Sequence, residues 1–384
     1  MTIASANRES LLYKVEVTEG TNPAGAATYL NFTNNSLNVT NETTNSAVVR
    51  SDTNIAGTIR TGLTVGGDIG FELKHLEFDP FLEAALRGTF ATAYTDTATT
   101  ISFANSDNSV NDSGAGFTNV VEGQWLKISG TDSGTNDGWY KVATKSSTSK
   151  LILSHGTVAD ESAGESITLK GTYLSNSTTE KSFTFERVLG DITQYQLYTG
   201  MKLNNFGLNF NTSDIAGGSM SFIGRNGALA TSSGFSGSHT AASTAPSMNT
   251  VDDIKAIYVN GALSTADFLS LDFSLTTNAE ALSAIGSLTK IGVSQRSIGV
   301  SGNFTLFKED KTFDDFKRNF DAINLAVVTE DSNGDGYIWD FPQVYITDGN
   351  NNNQGVNTDL QDAMSFQAVL DPTQAITASV TKYT

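Results

Sequence analysis

Along most of the chain, apolar and polar residues alternate with a period of two. Val65, Gly67, Ile69, Phe71 and Leu73 fall on one side, and Gly66, Asp68, Gly70, Glu72 and Lys74 on the other. Successive side chains of a strand point to opposite faces, so this stretch predicts a strand with one buried and one wet face. The period changes directly after it. Asp79 stands where a helix cap belongs, Pro80 follows at the first helical position, Phe81 and Ala85 are four apart, as are Leu82 and Leu86, and Gly88 supplies a stop. A short amphipathic helix is predicted.

The same grammar returns in the second half. VSGNFTLFK (Val300 to Lys308) repeats the layout of VGGDIGFEL (Val65 to Leu73), and FDDF (Phe313 to Phe316) repeats FDPF (Phe78 to Phe81) at the same separation. SLNVTNETT before the first copy parallels SLDFSLTTN before the second, which aligns Ser36 with Ser270. Strand-like segments follow each helix: FTFERVL, QYQLYTGMKLNNFGLNF and GGSMSFIG in one half, INLAVV, YIWDFPQVYI and AMSFQAVL in the other. The pattern predicts an internal duplication, each half being strands, one helix, then more strands.

Only the first half is interrupted. Between about Asp96 and Gly171 the segments GQWLKIS, GWYKVA, KLILS and SITLK read as four short strands of an inserted β domain. Residues 224–249, rich in Gly, Ser, Ala and Thr, have the composition of a linker between the halves. The expected organisation is 1–95 with 175–230 as the first domain, 96–174 as the insert, and 231–384 as the second domain.

Composition supports an all-β fold with short helices. Hydrophobic residues make up 38% and charged ones 17%, with 35 Gly and only 5 Pro, a mixture suited to many strands joined by polar turns. Acidic residues outnumber basic ones 41 to 23, giving a charge of −18, and no Lys/Arg cluster is present to neutralise phosphates. Tight nucleic-acid binding is disfavoured. With no cysteine, disulfides and thiolate metal sites are excluded. MTIASANRES lacks a signal-type apolar region, and no run approaches the ~18 apolar residues of a membrane span, so no membrane association is expected. Sequons such as Asn31-Phe32-Thr33 and Asn38-Val39-Thr40 read as ordinary strand and turn residues.

RSDTNIAGTIRTG, VGGDIGFEL and FDPFLEAALRGTF, from Arg50 to Phe90, resemble the phage tail tube family of long non-contractile-tailed bacteriophages, the siphophage major tail proteins. The resemblance continues through FTFERVLGDITQYQLYTGMKLNNFGLNF, GGSMSFIGR, NAEALSAIGSLTKIGV and AMSFQAVLDP, covering nearly everything except the insert. It implies two tandem tail-tube β-sandwich domains, each with one flanking helix, that form a ring-shaped β-barrel on oligomerisation. Two such domains per chain favour a homotrimer with pseudo-sixfold symmetry, the alternative being a homohexamer. Six domains of about four strands give ~24 strands, a circumference on the order of 150 Å and a lumen of roughly 40 Å. Rings would stack into a conduit through which DNA passes without specific binding. The implied partners are further copies, a tape-measure protein, a tail terminator and distal tail proteins, and the implied location is the virion tail, assembled in the host cytoplasm. Asp68 and Glu72, with their counterparts Asn303 and Thr305, are candidates to line the lumen; the other place for this polar side is bulk solvent.

Other chemistry has weaker support. DSNGDGYI places Asp331, Asn333, Asp335 and Gly336 as in a calcium loop, but position twelve is Pro342, which favours a hairpin turn. His75, His155 and His239 are scattered and read as surface or loop residues. Glu77, Asp79 and Glu83 could be glycosidase carboxylates, although a helix N-terminus already explains them. Trp125, Trp139 and Tyr140 could form a sugar platform in a virion or cell-surface adhesin; their ordinary role is burial within the insert. No catalytic residue, cofactor or metal site is nominated.

Overall fold

The computed structural model describes residues 3–352 and 355–384. It is mostly strand, with two short α-helices among the described residues. The first half contains β1 (Glu9–Val15), β2 (Asn38–Asn45), β3 (Thr58–Glu72), α1 (Asp79–Ala85), β4 (Phe183–Leu189), β5 (Gln194–Asn211) and β6 (Gly217–Gly224). The second half contains β7 (Ile254–Val259), β8 (Phe268–Thr276), β9 (Gly299–Phe307), α2 (Thr312–Asn319), β10 (Ile323–Glu330), β11 (Gly336–Asn352), β12 (Gln361–Ala368) and β13 (Ser379–Tyr383).

Antiparallel pairing runs β2–β3–β6–β5 in the first half and β8–β9–β12–β11 in the second. In a layer behind, β1–β4 pairs with the start of β5, and β7–β10 pairs with the start of β11. The repeat extends to register. Phe222 lies opposite Gly67 and Phe366 opposite Gly302, each phenylalanine ending a Met-Ser-Phe run. A Cβ on Gly302 would sit 2.6 Å from the Phe366 ring, so the glycine is what admits the aromatic. Both long strands slip at the same place, between Leu203 and Asn205 on β5 and between Ile346 and Asp348 on β11. Such an extra residue bends a strand, which lets β5 and β11 each serve both layers.

One detail of the expected alignment shifts. Asn38 pairs with Gly66, and Ser274 pairs with Ser301, the counterpart of Gly66, so Asn34 rather than Ser36 corresponds to Ser270. A two-residue slip leaves every side chain on its own face, so alternation cannot detect it.

The halves are fused by a seam: Asn205–Asn209 of β5 pairs with β6 along one edge, and Asn205–Asn211 pairs with Ser270–Thr276 of β8 along the other. The result is one continuous sheet in the order β2–β3–β6–β5–β8–β9–β12–β11. Beneath it a single core runs through both halves, including Phe71, Phe81, Phe183, Phe206 and Phe222 in one and Phe273, Trp339, Phe341 and Phe366 in the other. Each such ring contributes about 1.5–3 kcal/mol by leaving water.

Helix α1 differs from expectation at both ends. Phe78 precedes it without a side-chain cap, and Pro80 follows Asp79 within the first turn. The Asp79 carboxylate instead accepts from Tyr337 Oη and Lys382 Nζ, both at 2.6 Å, tying the helix to the second half. Burial raises the Tyr337 hydroxyl well above its ordinary pKa, keeping it a donor. The left-handed residue at the helix end is Arg87 (φ 49°), one position before Gly88.

The insert forms its own seven-stranded sheet between Thr95 and Lys170, around Ile101, Phe117, Leu126, Leu151 and Leu169. Three of these strands, Thr95–Ala98, Ile101–Ala104 and Ser109–Asp112, go beyond the four legible in the sequence. The insert leaves the first half after α1 yet rests on the second. Lys141 Nζ meets Asp340 at 2.7 Å with both side chains almost fully buried, Lys127 meets Glu330 at 2.6 Å, and His155 Nε2 lies 3.0 Å from Asn324 Oδ1. The expected linker is also ordered. Asn226–Ala230 pairs with Tyr195–Thr199 of β5, and Phe235 is buried with Leu12 and Val188.

Candidate assembly face and edges

The face of the continuous sheet turned away from the core carries short polar side chains. Alternation places Asn38 and Thr40 on β2, Asp68 and Glu72 on β3, Ser219 and Ser221 on β6, and Asn205 and Asn209 on β5. Across the seam follow Asp272 and Ser274 on β8, Ser301, Asn303 and Thr305 on β9, Ser365 and Gln367 on β12, and Asp348 and Asn350 on β11. Rows of these residues bond to one another: Asn303 Nδ2 donates to Asp272 Oδ1 at 3.0 Å and Ser365 Oγ to Asn303 Oδ1 at 2.7 Å. In the first half Ser36 Oγ accepts from the Asp68 N–H at 2.8 Å. The charged groups among these residues are the carboxylates Asp68, Glu72, Asp272 and Asp348; farther along the rows Glu42 of β2 is paired with Lys290, and Lys202 of β5, opposite Ile223, is buried with Glu19 and Glu180. All four lumen candidates therefore share one face; Asp68 and Asn303 are exposed, while Glu72 is half-buried and accepts from Ser247 Oγ at 2.7 Å.

The sheet ends in two edges. Among the described residues, no strand pairs with the outer side of β2, or with the outer side of β11 from Asp348 to Asn352. Side chains occupy the backbone groups there. Asn38 Oδ1 accepts from the Val39 N–H at 2.8 Å and Asn35 Oδ1 from the Leu37 N–H at 3.0 Å. On β11, Asp348 Oδ1 accepts from the Gly349 N–H and Lys317 Nζ of α2 donates to the Gly349 carbonyl, both at 2.7 Å. Sequence reading missed these four capping residues. The one signal was the crowding of Asn and Asp at both edges, residue types that bond readily to nearby backbone.

The remaining candidates have structural partners. Glu77 accepts from the N–H and side chain of Asn31, and Glu83 from the Phe90 N–H and Lys181, so with Asp79 on Tyr337 no two of these carboxylates work together. Asp331 Oδ1 accepts from the N–H groups of Asn333 and Asp335, closing the turn between β10 and β11. No group of three or more His, Asp or Glu is placed to hold a metal ion among the described residues. His75 and His155 are buried, contrary to the expected surface position, and burial lowers the pKa of both. Trp125 is fully buried against His155 and Tyr258 and belongs to the joint between insert and second half; Tyr140 is buried in the insert core, and half-buried Trp139 packs on that joint. The three aromatics do not form an exposed platform.

A duplicated sandwich that presents one polar sheet face between two capped edges has the form of a structural subunit made to join further copies. The chain belongs to the phage tail tube protein family, whose model matches residues 6–368. No curated protein matches it. It is thus a structural protein of the phage tail, from a family that assembles into stacked tube rings.

Proposed function

We propose that this chain is the repeating subunit of the tail tube of a long, non-contractile-tailed phage, stacking as rings into the conduit that carries DNA to the host. The observation that carries this reading is the continuous sheet of two equivalent halves, whose polar face bears carboxylates and short amides, with Lys202 in the paired rows buried against Glu19 and Glu180. Residues 1–95 with 175–230, and 231–384, act as two tube units, and 96–174 is carried between them. Three chains supply six units in a pseudo-sixfold ring. With eight sheet strands per chain, the ring holds about 24 strands, matching a barrel on the order of 150 Å around.

In that ring the face bearing Asp68, Glu72, Asn303 and Thr305 turns inward. Carboxylates and short amides along the wall repel phosphates and give DNA no cation to bind. Head-to-tail stacking does not close on itself, so filament length is set from outside, by a tape-measure protein, with a terminator and distal tail proteins at the two ends. Assembly takes place in the host cytoplasm. Electron microscopy of the purified protein together with the mass of one ring tests this. Hollow tubes with rings of about 120 kDa, three times the 40.7 kDa of one chain, are expected. Rings of twice that mass would replace the trimer by a hexamer, and protein that stays single at every concentration would remove the reading.

A further inference from the structure

The internal seam is a template for the contact between copies. On β5, Asn205, Phe206, Gly207 and Leu208 pair with Thr276, Leu275, Ser274 and Phe273 of β8. Equivalent positions on β11 follow from pairing with the matched strand β12: Asp348, Gly349, Asn350 and Asn351. Those on β2 follow from pairing with β3: Thr40, Val39 and Asn38, with Leu37 next in line just before the strand. The first set lies on one outer edge of the chain and the second on the other.

We propose that β11 of one copy pairs with β2 of the next in the register of the internal seam, with Gly349 opposite Val39 and Asn350 opposite Asn38. The contact rests on the ring-forming reading above and adds its residues. Two further observations support it. The capped groups belong to the matched pair: both the Val39 and the Gly349 N–H are occupied by the preceding side chain, and their counterparts Leu275 and Phe206 face each other across the seam. Next to the β2 edge, an open groove of about 820 Å³ is lined by Glu9, Tyr29, Asn31, Asn34, Asn35 and Arg187. Its counterpart in the second half, around Ile254, Ile257 and Val327, is where the end of β5 at Phe210 to Thr212 lies. In the proposed register a neighbour's β11, which ends at Asn352, runs toward this groove. In this contact the caps also act as a guard: each edge satisfies its own backbone until a neighbour exchanges side-chain bonds for a strand ladder.

The absence of cysteine permits a direct test. Asn38→Cys and Asn350→Cys are placed in one full-length chain, which is assembled, oxidised and run without reductant. A covalent species closing at three chains is expected. Asn34→Cys with Asn350→Cys, four residues or about 13 Å out of register, should cross-link at least tenfold less, since a disulfide needs Cα atoms within about 7 Å. Tubes that form while the matched pair fails to link, or links no better than the shifted pair, would overturn the register and leave the tube reading standing. No rings or tubes under any condition would overturn both. In a separate variant, Asn38→Ala with Asp348→Ala removes two caps and should lower the concentration needed for assembly on the order of fivefold. An unchanged or raised concentration would remove the capping role.

Discussion

The internal seam and the two outer edges use matched strand positions in different surroundings. At the seam, Phe206, Leu208 and Phe210 lie beside Leu275, Phe273 and Leu271, all buried in the common core. At the equivalent outer positions β11 offers Gly349 and Asn351, and β2 offers Val39, with Leu37 and Asn35 on the segment leading into it. The chain thus closes one junction by hydrophobic burial while it folds. It leaves the outer edges to side-chain caps, which the proposed contact would exchange for a strand ladder with a second copy. A protein whose outer edges were as apolar as its seam would pair without control, because exposed strand edges template aggregation.

Removing an apolar anchor should be felt by the single chain at the seam. Phe273→Ala is expected to cost about 3–5 kcal/mol in urea unfolding. A loss under about 1 kcal/mol would mean the seam is not what fuses the halves. The joint between insert and second half gives a similar effect from a different source. Asp340→Ala leaves Lys141 buried without its partner and should cost about 3–5 kcal/mol, while Lys141→Met with Asp340→Leu should recover most of it. The first half has no such pair, since Leu197 stands where Asp340 does and rests near Gly234 of the covering segment. If the double variant unfolds as readily as Asp340→Ala, the ion pair is needed for more than its charges.

At the outer edge the sign of the comparison reverses. Val39→Pro removes an N–H whose partner is only the Asn38 side chain, so it should shift single-chain stability by about 1 kcal/mol or less while abolishing tubes seen by electron microscopy. A variant that still forms tubes would break the equivalence of edge and seam. The smallest effect concerns pH. Burial holds His155, at the insert joint, and His75 below their ordinary pKa, so each favours folding when neutral. That stability is present above the unfolded value of about 6.5 and is lost as pH falls below it. A Tm lower by a few degrees at pH 5.5 than at pH 7.5 is expected, with His155→Gln reducing the difference.

Much of the fold was legible in the sequence because alternation and the Phe-Asp-x-Phe helix starts report local geometry. The strand at Val65, its copy at Val300 and both helices stand where the pattern places them. The polar face was legible for the same reason, since Asp68, Glu72, Asn303 and Thr305 follow from period two alone. Other features needed contacts distant along the chain. Asp79 looked like a cap and serves Tyr337 and Lys382; His75 and His155 looked exposed and are buried; the Ser- and Gly-rich stretch around Phe235 looked like a tether and covers a sheet.

What the sequence by itself determined is therefore the repeated unit: the period, the two copies, the face each residue takes, and an acidic charge balance. Only the tertiary structure decided the register between strands, the fusion of two sheets into one, the docking of the insert on the opposite half, and the side chains that cap the edges. Periodicity is a property of neighbouring residues, whereas register and docking depend on which distant surfaces exclude water together, and a two-residue slip or a change of partner leaves the local pattern untouched.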